Sequence, residues 1–188
     1  MNTEEDAYPG SIFSLTDHEI YIVTARADGR ENGQIATWVM PATLVPDTPR
    51  AAVILSPLNY THELILKSGR FALNMLSDQQ AGLVPLFGLL SGRDVDKFDG
   101  LALERSPSGL PLPAGTCGWA ECVVAASIDA GDRRLYLADI TGQRVYKGRI
   151  PLKKSDAFAA QDDEIRDMLI RKHGRDGLRD KALMKNFR

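Results

Sequence analysis

Few side chains in this sequence have the types and spacing for catalysis. The three histidines, His18, His62 and His173, lie far apart and form no HExxH pair, so no metal site is expected. Cys117 and Cys122 stand five apart, which is not CxxC spacing, and no second Cys/His pair completes a zinc site. Each cysteine reads as a small buried residue. Asp94 and Asp96 fall in a polar loop, where solvated charge is the ordinary state. No GxGxxG follows a strand, no phosphate-binding GxxxxGK motif occurs, and no GxSxG elbow is present. No nucleophile, base and orienting group assemble from the side chains. One stretch does invite chemistry: "NGQIATWVMPAT", from Asn32 to Thr43. Gly33 and Ala36 leave its backbone thinly covered, and Thr37 and Trp38 follow. Thin cover lets a flat ligand reach main-chain N–H groups. A planar, polar-edged heterocycle needs such groups at its rim and apolar surface over its faces. A barrel hairpin with one core Trp would carry the same residues, and the stretch alone leaves both open.

The elements that must position this stretch are mostly strands. Residues 19–27 alternate as a strand, and "DGRENG" follows with turn chemistry at Asp28-Gly29 and Asn32-Gly33. Residues 34–40 return as the second strand, residues 43–49 form a loop or short edge segment because Pro46 and Pro49 cannot both donate to a ladder, and residues 50–56 form a buried strand. Residues 60–68 read as a helix with Thr61 as N-cap and Gly69 as C-cap, followed by a strand over 70–76. Residues 78–92 read as a helix bent by Pro85, and "GRDVDKFDG" as a polar loop. A strand over 118–128, a hairpin turn at "DAGDR" and a returning strand pair, "RLYLADITGQRVY", come next. Residues 161–186 form a charged amphipathic helix with Ile165, Met168 and Leu169 on its apolar face and Asp162, Asp163 and Glu164 at its favourable end. The total is about six to seven strands and two or three helices, without βαβ alternation. That pattern predicts an α+β, mainly β protein: an antiparallel barrel decorated with helices. Residues 1–18 are an N-terminal arm, 19–150 the barrel domain and 151–188 a C-terminal helical extension.

Composition sets limits. A length of 188 residues suits one domain, which can bury roughly 70% of its unfolded surface without a disulfide or structural metal. A net charge of −2 gives no global basic field for nucleic acid. No apolar run approaches the ~20 residues of a membrane helix, and the acidic start "MNTEEDAYPGS" lacks a signal pattern, so a cytoplasmic location is expected.

Five motifs in order then resemble one family. They are "NGQIATWVMPAT", "AAVILS", "YTHELILKSGRFALNML", "DKFDG" and "WAECVVAASIDAGDRRLYLADI". From about Ile20 to about Val145 the chain resembles the flavin reductase-like family, with its FMN-binding split barrel. The resemblance implies bound FMN, with main-chain groups of Ala36, Thr37, Trp38 and Val39 along the isoalloxazine edge. It places Ser56, Thr61 and His62 near the ribityl-phosphate, with Lys97 as a phosphate cation. A helix starting near Tyr60 would aim free N–H groups at that phosphate. The implied activity is oxidoreductase: a hydride passes from NADH or NADPH to FMN, and electrons go on to a flavin, a metal or a protein acceptor such as a partner oxygenase. One alternative is an FMN electron carrier reduced by a protein donor, as in flavoredoxins. Another is a split-barrel binding module without catalysis. No catalytic side chain is required, because the flavin carries the chemistry. A homodimer with FMN at its interface is implied as well. The charged helix from Gln161 departs from the short members of the family, and it would cover a partner subunit or shape the mouth of the site.

Overall fold

A computed structural model describes residues 11–185 and Phe187. Residues 1–10 of the expected N-terminal arm lie outside the described residues, and Ile12–Leu15 form one 3-10 turn capped by the Ser11 hydroxyl.

Turn chemistry sets the first hairpin. Strand β1 (Tyr21–Ala27) and strand β2 (Arg30–Ala36) are joined by Asp28 and Gly29 alone, with φ of 52° and 73°. Two left-handed residues in succession match the twist of paired strands, and Asp-Gly favours that turn. Asn32-Gly33 is therefore not a turn. It lies within the ladder opposite Ala25 and Thr24, and the second strand starts at Arg30 rather than Gln34.

The strand expected over 34–40 is also two strands. Thr37 and Trp38 break the ladder, and β3 (Val39–Pro41) pairs with β4 (Arg50–Leu55) instead. Together with β5 (Arg70–Met75), β8 (Gly118–Asp129) and β9 (Arg134–Val145), these strands form one seven-stranded antiparallel sheet in the order β2-β1-β5-β8-β9-β4-β3. Its two edge strands, β2 and β3, are linked by only Thr37 and Trp38, so the sheet must curl until its edges nearly meet. The result is a half-barrel, split at this bend. Register shifts at Glu121/Cys122 and Val124/Ala126 bend the long β8–β9 hairpin in the way bulges do. β9 is one continuous strand, not a strand pair. Strands β6 (Leu103–Arg105) and β7 (Pro111–Pro113) make a separate ribbon.

Among the described residues, four helices complete the fold: α1 (Tyr60–Ser68), α2 (Leu83–Leu89), α3 (Lys154–Ala159) and α4 (Asp163–Lys185). Gly69, at φ 65°, closes α1 and donates its N–H to the Ile65 carbonyl, as expected of a left-handed cap. The N-cap is Asn59 rather than Thr61, which lies inside the first turn and is fully buried. The segment over 78–92 is not one bent helix. A 3-10 turn at Asp78–Gln80, with a capping box between Ser77 and Gln80, precedes α2. Pro85 is the third residue of α2, where an N–H has no intrahelical partner, so it starts a helix instead of bending one.

Inside the curl, Val23, Val53, Phe71 and Tyr136 pack with Leu64 and Ile65 of α1. A second cluster gathers Ile22, Leu76, Phe87, Phe98 and Leu152 around α2. Each such side chain contributes about 1.5–3 kcal/mol by burial. Leu169 of α4 joins this cluster, whereas Met168 is 39% exposed and does not serve as core. Among the described residues, no helix is long and apolar enough to cross a membrane.

Candidate functional site

The bend at Thr37–Trp38 opens a cleft of about 440 Å³, a size typical of small-molecule sites. One wall is the end of β2, a second is the start of α1, and a third is the segment after α2. The fourth is the long helix α4, through Leu169, Lys172, Asp176 and Asp180.

The polar character of the cleft follows from β2. Residues two apart on a strand share a face. With the strand starting at Arg30, Asn32, Gln34 and Ala36 fall in one row. Asn32 and Gln34 are buried, yet Asn32 Oδ1 and Gln34 Oε1 accept no hydrogen bond among the described residues. Buried acceptors without partners are costly, so a donor from outside the chain would stabilise them. Asn32 Nδ2 does have a partner, donating to Thr61 Oγ1 at 2.9 Å.

The start of α1 adds donors. Asn59 makes no side-chain cap bond among the described residues; His62 N–H donates to the Asn59 carbonyl at 3.0 Å, which leaves the Tyr60 and Thr61 N–H groups at the positive end of the helix. Lys97 adds a cation. It is only 4% exposed, and Nζ donates to the Gly33 carbonyl at 3.0 Å and the Phe87 carbonyl at 3.3 Å, with no carboxylate paired to it among the described residues. Burial, helped by the Lys172 charge, lowers its pKa to about 8. Arg93 also borders the cleft, paired with Glu63 and set 5.3 Å over the Tyr60 ring. On the α4 side the charges pair internally: Lys172 with Asp176 at 2.6 Å, and Arg133 with Asp180 at 2.6 Å. Burial alone would raise the Asp180 pKa, but hydrogen bonds from Arg133 and Arg179 hold it below the usual aspartate value.

Of the residues singled out from the sequence, Ala36, Thr37, Trp38, Ser56, Thr61 and Lys97 come together around this cleft. Val39 and His62 do not line it. Val39 pairs with Val53 and packs on the interior core. His62 follows Thr61 directly, about 100° further round the helix. Its ring points into the core, with Nδ1 2.6 Å from the Tyr136 hydroxyl oxygen. Burial, reinforced by Arg134, lowers its pKa. The sequence reading missed Asn32, Gln34, Arg93 and the α4 residues. Asn32 and Gln34 were within reach, because counting in twos from a strand start at Arg30 puts both on the row of Ala36.

Gly33 plays a different part from the one expected. A Cβ there would stand 2.8 Å from Phe87 Cε1 and 3.0 Å from Ile22 Cγ2. The missing side chain admits the Phe87 ring of α2, not a ligand.

Fold and cleft together define a class: a split antiparallel half-barrel with a donor-rich pocket at the gap between its sheet edges. Residues 13–153 match the family model described as flavin reductase like domain, and the chain belongs to that family. The resemblance read from about Ile20 to Val145 falls within this match. A high molecular weight rubredoxin from Moorella thermoacetica is 34% identical over 137 residues, covering 72% of this chain and 58% of that one. A ferric-chelate reductase (NAD(P)H) from Archaeoglobus fulgidus is 29% identical over 146 residues, covering 77% of this chain and 85% of that one. The FMN-binding protein from Thermus thermophilus, solved with bound 1-cyclohex-2-enone, has a TM-score of 0.67 at 25% identity, covering 74% of this chain and 76% of that one. The chain thus spans less than two thirds of the rubredoxin relative and most of the other two.

Proposed function

We propose that the cleft holds FMN and that the protein is an NAD(P)H-dependent flavin oxidoreductase. One observation carries this reading: a buried ammonium that has no carboxylate among the described residues, beside buried acceptors that have no donor among them, in a chain of the flavin reductase family. That donor set fits the group. A phosphate supplies the anion that Lys97, the Thr61 hydroxyl and the first turn of α1 would hold. N–H and O–H groups of a flavin and its ribityl chain supply donors for Asn32 Oδ1 and Gln34 Oε1. Main-chain groups of Ala36, Thr37 and Trp38 follow the ring edge, and Ser56 adds a hydroxyl. Val39 and His62 support the site from the core side.

When bound, FMN supplies the hydride-accepting and electron-releasing chemistry. The chain's residues orient it, exclude water from one face and set its electronics. N–H groups at the ring edge stabilise negative charge there, and the half-buried Trp38 gives apolar cover. The electron acceptor is a flavin, a metal or a protein. The ferric-chelate reductase relative illustrates the metal class by name. The active form in this reading is a homodimer. The free edge strand β3 and the loop after it expose Met40, Leu44 and Val45, and an open apolar edge calls for cover. Two unpaired thiols, Cys117 and Cys122, suit a reducing cytoplasm.

The test is an anaerobic absorption spectrum of the purified protein supplied with FMN, before and after NADH and then NADPH. Flavin bands that shift on binding and bleach with either donor are expected. Bands that persist with both donors but bleach with a reduced protein donor would replace the reductase with a carrier. A protein that retains no FMN has the family's fold without its cofactor.

A further inference from the structure

We propose that α4 is a strap across the mouth of the cleft, latched by the Arg133–Asp180 ion pair, and that this latch sets how long a flavin stays bound. The inference rests on the FMN reading above.

The helix is long and polar, and one of its faces looks into the cleft. Leu169, Lys172, Asp176 and Asp180 recur at helical spacing and line the pocket. It is fastened at two places. Near its start, Leu169 packs over Gly88 of α2, where a Cβ would come within 3.8 Å of Leu169 Cδ2. Near its end, Asp180 is 2% exposed although the residues around it are solvated. Its carboxylate accepts from Arg133 at 2.6 Å and from Arg179 at 2.8 Å. Arg133 belongs to the β8–β9 turn, and its Cζ lies 5.7 Å over the Trp38 ring at the sheet break. Met184 adds a contact at the same turn, with Sδ 3.0 Å from the position of a Gly131 Cβ. The strap thus runs from α2 on one side of the mouth to the β8–β9 turn on the other.

Between the two fastenings stand Gly174 and Gly177, both facing open space. Glycine is the weakest helix former apart from proline, so the helix is least stable midway. The far half is held by the buried Asp180 carboxylate and by only partly buried apolar contacts, Met184 being 38% exposed. Arg133 also pairs with Asp132 at 3.3 Å, within its own turn, so losing the Asp180 charge leaves Arg133 partnered on the turn and removes the ion pair that ties α4 to it. A ligand under the strap leaves when that half swings away, which makes the latch a determinant of off-rate.

The experiment compares the full-length protein with Asp180→Asn and with Gly174→Ala/Gly177→Ala. FMN release is followed by recovery of free-flavin fluorescence after dilution, and amide hydrogen exchange is read along the chain. Release from Asp180→Asn is expected to be about tenfold faster or more, with faster exchange confined to the second half of α4. The alanine pair is expected to slow release, because it stiffens the midpoint of the strap. Unchanged release in Asp180→Asn, or exchange raised equally across the β-sheet, would overturn the proposal. If the wild-type protein takes up no FMN, the cofactor reading fails by itself, and the exchange pattern of Asp180→Asn still decides whether the pair latches the helix.

Discussion

Asn32 Nδ2 donates to Thr61 Oγ1 at 2.9 Å, tying β2 to the first turn of α1 at the cleft wall. Both residues are buried. Because Thr61 Oγ1 is the acceptor, its own proton is left for another partner. Thr61→Val keeps the shape but removes both roles and strands the Asn32 amide. A loss of ~1–3 kcal/mol is expected, together with FMN affinity weaker by about tenfold. Thr61→Ser should recover most of both. Thermal unfolding and FMN titration by fluorescence quenching check this, and a Val variant matching wild type in both would remove Thr61 from the site.

Gly33→Ala tests why β2 is so sparse. The added methyl meets the Phe87 ring at 2.8 Å, and the same residue's carbonyl accepts from Lys97. Both the ring and the backbone carrying that carbonyl must shift. Overpacking of this kind costs about 1–3 kcal/mol, read as a lower urea midpoint with an unchanged m-value. A midpoint equal to wild type would mean that Phe87 does not need the space.

Lys97 predicts a pH dependence. Its pKa in the folded protein, about 8, lies below the ordinary value of 10.5. Between those values the unfolded chain holds the proton more firmly, so this residue makes the protein more stable as pH rises from about 8 to 10.5. Binding runs the other way. A phosphate favours the charged ammonium, so FMN affinity should fall from pH 7 to pH 9, by up to about tenfold per pH unit once past pH 8. Lys97→Met should bind more weakly at pH 7 and show a flatter profile. Parallel profiles for the two proteins would exclude Lys97 as the phosphate cation.

These residues show how much could be read from sequence, and where reading stopped. The Asp28-Gly29 turn, the Gly69 cap and the family were legible because local turn chemistry and ordered motifs carry them. The break between β2 and β3 was not. "IATWVMP" alternates well enough for one strand, and only the distant partner strand β4 claims its second half. Thr61 looked like a cap because Thr often is one. Its true partner, Asn32, is far off in sequence and reaches it through the fold. The α4 wall was beyond reach for the same reason. A charged amphipathic helix announces its apolar face but not what its polar face covers, and Asp180 looks like any solvated aspartate until Arg133 is placed beside it.

His62 and Tyr136 give the last prediction, one about support rather than contact. Tyr136 Oη and His62 Nδ1 are 2.6 Å apart in the core and link β9 to the turn of α1 that faces the cleft. Burial, with Arg134 adding to it, lowers the His62 pKa below its ordinary 6.5, so the ring is neutral at pH 7. Burial raises the Tyr136 pKa to about 12, so its hydroxyl keeps its proton. The stability this neutral pair contributes is present above pH 6.5. It is lost as pH falls through the lowered folded value, because the unfolded chain binds the proton more readily. Tyr136→Phe leaves His62 Nδ1 buried without a partner, at a cost of about 1–3 kcal/mol near pH 7. His62→Gln removes the titrating ring, so between pH 7 and pH 5 it should lose less stability than wild type. Urea midpoints at a series of pH values measure that difference directly. Equal losses over this range would show that His62 titrates alike in both states, and the bond to Tyr136 would then be only a packing contact.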